Sequence, residues 1–124
     1  MIVAGFGFRA VASEAALEAA LNAALQRAGM PVLTAFATAA DKADASALCA
    51  LAQRLGLPIT AIDPTDLRLE DVTKVPHIPA RYGAQSVAEA AALAAVGPGA
   101  RLLVGRVASK DGMAMVAIAA GRGA

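Results

Sequence analysis

The chain has 124 residues, enough for one domain with a single core and too few for two ordinary ones. It is 58% apolar but only 3% aromatic, so the core must come from Ala, Leu, Val and Ile, as in Ala-rich helices packed closely on a sheet. A formal net charge of +1 with no run of either sign, no Trp and one Tyr excludes the basic stripe and stacking platform of a nucleic-acid surface.

The first element is a strand from Met1 that breaks into Gly5-Phe6-Gly7, followed by Arg9 and by Ser13, which can cap the helical pattern from Glu14 to Gly29. Strand, tight loop and helix is the layout of a binding loop. Glycines let the backbone approach a ligand, a helix N-terminus favours an anion, and Arg9 adds a forked charge. Two readings stand, a ligand loop or a plain strand-to-helix turn with a surface Arg. The third glycine and the acidic residue of a dinucleotide fingerprint are both missing.

Leu17, Leu21, Ala24, Leu25 and Ala28 form one apolar stripe, and Gly29 and Pro31 end that helix. Val32 to Thr38 reads as a strand buried on both faces. Asp41 or Asp44 can cap a second helix with the stripe Leu48, Leu51, Leu55, in which Cys49 reads as a small buried hydrophobe. Gly56 and Pro58 stop it, and a strand follows to Ile62. Gln26-Arg27-Ala28-Gly29-Met30-Pro31-Val32 is echoed by Gln53-Arg54-Leu55-Gly56-Leu57-Pro58-Ile59, so the first half reads as two consecutive strand–helix units plus a third parallel strand.

Asp63-Pro64 starts a short helix over Thr65 to Leu69. Glu70 to Gln85, with Pro76, Pro79, Lys74, His77 and Arg81, is the least patterned segment and reads as a loop. His77 stands alone, so no structural metal is expected. Ser86-Val87-Ala88-Glu89 reads as a capping box opening an Ala-rich helix that ends near Gly97-Pro98-Gly99. Arg101 to Ala108 and Met113 to Ala120 are strands joined across the turn Ser109 to Gly112, and the tail from Gly121 is expected to fray.

The expectation is one α/β domain over 1–124: three layers, a mostly parallel five-stranded sheet with helices on both faces, and a C-terminal antiparallel hairpin. Met1 leads straight into a strand and no segment could span a bilayer, so a cytoplasmic protein is expected. Ligands of such sheets sit beyond the carboxyl ends of the parallel strands. The loops after the first three strands bring Arg9, Ser13, Thr38, Asp41, Lys42, Asp44, Asp63 and Thr65 there. Gly5, Gly7, Arg9, Thr38, Lys42 and Asp44 are the candidate ligand-binding residues, suited to carboxylates or phosphates. For Ser13 and Asp63 a plain capping role is the better reading. No nucleophile elbow, Ser/His/Asp ordering or phosphate loop is present, and no cofactor is expected.

One ordered set of segments resembles a known family: Gly5-Phe6-Gly7-Phe8-Arg9, Lys42-Ala43-Asp44, Leu48 to Pro58, Ser86 to Leu93 and Met115 to Ala119. Together they resemble CobE, the free-standing relative of the C-terminal domain of CbiG in cobalamin (vitamin B12) biosynthesis, over nearly the whole chain. The length suits the free-standing form, since CbiG carries a further N-terminal region. The family commonly continues its first loop as Gly-x-Gly-Cys-Arg-Arg-Gly; here Phe8 replaces the cysteine, Ala10 the second arginine and Val11 the last glycine. Roles needing that thiol or second cation cannot operate in this chain.

The resemblance implies a corrin-pathway ligand, whose rim of acetates and propionates suits Arg9, Lys42 and helix N-termini. It implies binding of a precorrin or hydrogenobyrinate-type tetrapyrrole as an aid to ring contraction or intermediate transfer. In CbiG the activity is hydrolytic opening of the precorrin-5A lactone with loss of acetaldehyde. A hydrolase here would use Asp44 or Asp41 as base, with Lys42 or Arg9 on the oxyanion. A third alternative is a non-catalytic module that docks another pathway enzyme through residues 70–85.

Overall fold

The computed structural model describes residues 1–63 and 84–121, with the side chains of 84–86 outside the description. The short helix expected over 65–69, the loop residues 70–83 and the tail 122–124 therefore lie outside the described residues. Five strands form one sheet in the order β3-β2-β1-β5-β4. They are β1 (Ile2–Phe8), β2 (Ala35–Ala39), β3 (Ile59–Ile62), β4 (Arg101–Ala108) and β5 (Ala114–Ala120). β1 to β3 pair in parallel, and β5 runs antiparallel to both β1 and β4. Four strands thus point one way. The hairpin joins the sheet through its second strand.

Helices α1 (Glu14–Arg27) and α2 (Ser46–Leu55) cover one face and α3 (Ala84–Val96) the other. β1 is central and buried from Val3 to Phe8. Side chains alternate across a strand, so Ala4, Phe6 and Phe8 meet Leu17, Leu21, Leu48 and Leu51 of α1 and α2, while Val3 meets Val87, Ala90 and Ala91 of α3. Phe36 of β2 joins the first group, its ring centroid 4.6 Å from that of Phe6. Ser13 caps α1 as expected, its hydroxyl accepting from the Ala16 N–H at 3.1 Å. Gly56 closes α2 in the left-handed region, φ 69°.

Several local expectations are corrected. β2 starts at Ala35, three residues later than the apolar run, and Val32 is 84% exposed. Pairing with β1 begins only at Thr34, whose N–H donates to the Ile2 carbonyl. Neither Asp41 nor Asp44 caps α2. A single 3-10 turn (Ala40–Lys42) intervenes, and Ala45 holds the cap position without a side-chain bond. Cys49 is exposed, because Leu48, Leu51 and Ala52 form the inward stripe and Cys49 points off it. α3 begins at Ala84, so Ser86 and Glu89 lie inside the helix rather than at its cap, and Ala84 and Gln85 belong to it rather than to the preceding loop.

Candidate functional site

The carboxyl ends of β1 and β2 lie side by side, since Phe6 pairs with Thr38. Arg9 follows β1 directly, exposed, its N–H bonded to the Met113 carbonyl and its own carbonyl accepting from Ala12 at 2.9 Å. This ties the turn Arg9 to Ala12 to the hairpin on one side and to the capped start of α1 on the other. Val11, 79% exposed, stands on the turn. Lys42 ends the 3-10 turn after β2, its Nζ 5.3 Å from the centroid of the Phe8 ring. Phe8 is 5% exposed, so the ammonium sits over the ring of a buried side chain, a cation–π contact. Among the described residues neither Arg9 nor Lys42 is paired with a carboxylate. Asp41 and Asp44 flank Lys42 in sequence, both exposed.

The other candidates lie inside the sheet. Gly5 and Gly7 are strand residues rather than loop residues, each flanked by β5, with Gly5 paired to β2 as well. Their backbone polar groups serve ladders. The glycine at position 5 answers to packing: a Cβ there would stand 2.1 Å from the Ala88 carbonyl oxygen and 2.7 Å from the Ala92 nitrogen of α3. Thr38 is fully buried and donates its hydroxyl to the Phe6 carbonyl at 2.9 Å. The structure therefore gathers Arg9, Lys42 and Asp44 at the strand ends and places Gly5, Gly7 and Thr38 beneath them as framework.

Elsewhere, a groove of about 600 Å³ runs between Ala61 of β3, Leu93 and Ala94 of α3, Gly97, and Arg101 of β4. Among the described residues that line it Arg101 is the one charge, so the groove is less suited than the strand ends to a ligand with several carboxylates. Among the described residues no three His, Cys, Asp or Glu side chains could hold a metal ion, and no helix is long and apolar enough to cross a membrane.

Sequence reasoning missed one polar feature. Glu89, read as a helix cap, is fully buried; it accepts the Arg106 backbone N–H at 3.0 Å and stands 3.4 Å from that residue's guanidinium. The available signal was a single carboxylate in an otherwise uncharged helix of alanines.

The family described as "Cobalamin synthesis G C-terminus" matches residues 2–119. The chain belongs to that family. A solved structure of cobalamin biosynthesis protein chiG from Agrobacterium tumefaciens is 36% identical with a TM-score of 0.75, matching 98% of this chain and 99% of that one. CobE, described as a protein from the cobalamin (vitamin B12) biosynthetic pathway, is 31% identical with a TM-score of 0.80 over 96% of this chain and 89% of that one. Among curated protein sequences none matches. The family's mixed sheet, parallel in its first strands and antiparallel at its C-terminus, is the fold described above.

Proposed function

We propose that this cobalamin-biosynthesis family member binds a corrin-pathway tetrapyrrole of the precorrin or hydrogenobyrinate type at the carboxyl ends of β1 and β2, assisting ring contraction or passing the intermediate on. The observation that carries the reading is the pair of cations Arg9 and Lys42, free of carboxylate partners among the described residues, at adjacent strand ends beside the start of α1. A rim of carboxylates satisfies both cations through charge-assisted hydrogen bonds, and the exposed Val11 supplies apolar surface for a macrocycle. Asp41 and Asp44 are exposed, whereas a general base gains strength from burial, so binding is better supported than lactone hydrolysis. Docking of another pathway enzyme is an alternative that rests on residues 70–85, most of them outside the described set.

The test is an absorbance titration with hydrogenobyrinic acid and available precorrins, in the parent and in Arg9→Ala/Lys42→Ala. The parent gives a saturable spectral shift, and the double variant binds about a hundred-fold more weakly, the loss of two hydrogen bonds to charged groups. An unchanged parent spectrum with every corrinoid refutes the reading. Under the hydrolase alternative Asp44→Asn stops turnover and leaves binding intact.

A further inference from the structure

β4 and β5 do not match residue for residue. Arg101 faces Ala120 and Ala108 faces Met115, so the eight residues of β4 are set against the stretch Met115 to Ala120, which is two residues shorter. The extra residues fall at two register shifts, between Leu102 and Val104 and between Val104 and Val107. Among the described residues β4 is an outer strand of the sheet, with an edge that β5 does not cover. An outer strand exposes unpaired N–H and C=O groups to another chain, and bulges, glycine and charge are the usual means of preventing such pairing. The second shift contains both Gly105 and Arg106.

At that shift the Arg106 N–H leaves the ladder and donates to Oε2 of Glu89 at 3.0 Å, with the guanidinium 3.4 Å from Oε1. The Glu89 side chain is wholly buried and that of Arg106 is 22% exposed. Burying a carboxylate is costly, and alanine, which fills most of α3, would cover the sheet here without that cost. A carboxylate is repaid where it takes both the displaced backbone donor and the cation of the same residue.

We propose that Glu89 is the latch of this bulge, holding β4 in a shifted register that keeps its outer edge from pairing with a second copy of the chain. Without the latch, β4 flattens toward residue-for-residue pairing with β5 and presents a regular edge. The proposal does not rest on the ligand reading, since it uses no contact of Arg9 or Lys42.

The experiment compares full-length parent, Glu89→Ala, Glu89→Asp and Glu89→Gln by light scattering after gel filtration, by far-ultraviolet dichroism and by amide exchange at Arg106. Glu89→Ala retains native dichroism, loses protection at Arg106 and raises the associated fraction about ten-fold at equal concentration. Glu89→Gln, whose amide oxygen still accepts the Arg106 N–H, keeps the parent's mass distribution. Glu89→Asp, which draws the carboxylate back by one methylene and preserves most of the packing, gives the decisive reading if the Ala variant does not fold. A folded Ala or Asp variant with Arg106 unprotected and the parent's mass distribution overturns the proposal.

Discussion

The two faces of the sheet are built from side chains of different size. On one, Phe6, Phe36, Leu17, Leu21, Leu48, Leu51 and Ile118 fill the space between the strands and α1 and α2. On the other, α3 meets Ala35, Ala37 and Ala39, with Gly5 lying under Ala88 and Ala92. The first layer is held at a distance by what it contains. The second is set by what is missing, since backbone stands almost against backbone at Gly5. A layer of large residues loses stability when atoms are removed, and a layer of small ones when atoms are added.

Gly5→Val probes the close face and has the largest expected effect. Its Cβ meets backbone atoms of a helix rather than a side chain that can swing away, so overpacking beyond the usual ~1–3 kcal/mol is expected and the chain should show no native dichroism at 25 °C. A folded Gly5→Val protein would mean that α3 can lift off β1 cheaply. Phe36→Ala probes the other face. It should cost about 3–5 kcal/mol in urea unfolding, as a buried aromatic with a ring partner leaves a cavity. Ser13→Ala removes only the cap of α1 and should cost about 1 kcal/mol, with Arg9 still anchored through Met113.

The smallest effect concerns the hairpin shared by both faces. The Ser109 hydroxyl and then the Met113 N–H donate to the Asp111 carboxylate and hold its pKa below the ordinary value of 3.8. Because the folded value is depressed, the carboxylate's contribution is present above the unfolded value and fades as pH falls through the folded one. The gap in thermal midpoint between parent and Asp111→Asn should therefore be constant at neutral pH and shrink below about pH 4.

Much of this organisation was legible in the residues. The strand and helix segments, the Ser13 cap and the final hairpin follow from apolar periodicity and turn chemistry, which are local. Strand order was not legible, because inserting β5 between β1 and β4 depends on long-range pairing. Asp41 and Asp44 misled because an Asp before an apolar stripe is a good cap signal, and the 3-10 turn that takes up Asp41, with Ala45 rather than Asp44 at the cap of α2, has no comparable mark. At Gly5 the pattern of a binding loop and that of a strand under a close helix are the same letters. What distinguishes them is the alanine spacing of α3, more than eighty residues away. Glu89 was hidden for a related reason: a capping-box glutamate and a buried one look alike until the helix start is known.

The most direct measurement is a backbone-amide map of the ¹⁵N-labelled protein titrated with hydrogenobyrinic acid. Saturable shifts concentrated over Arg9 to Ser13 and Ala40 to Asp44 are the predicted result, with Gly5 and Thr38 moving little because their groups are committed to the sheet. Shifts concentrated instead along Leu93 to Leu102, around the groove beside α3, would contradict the placement of the ligand at the strand ends.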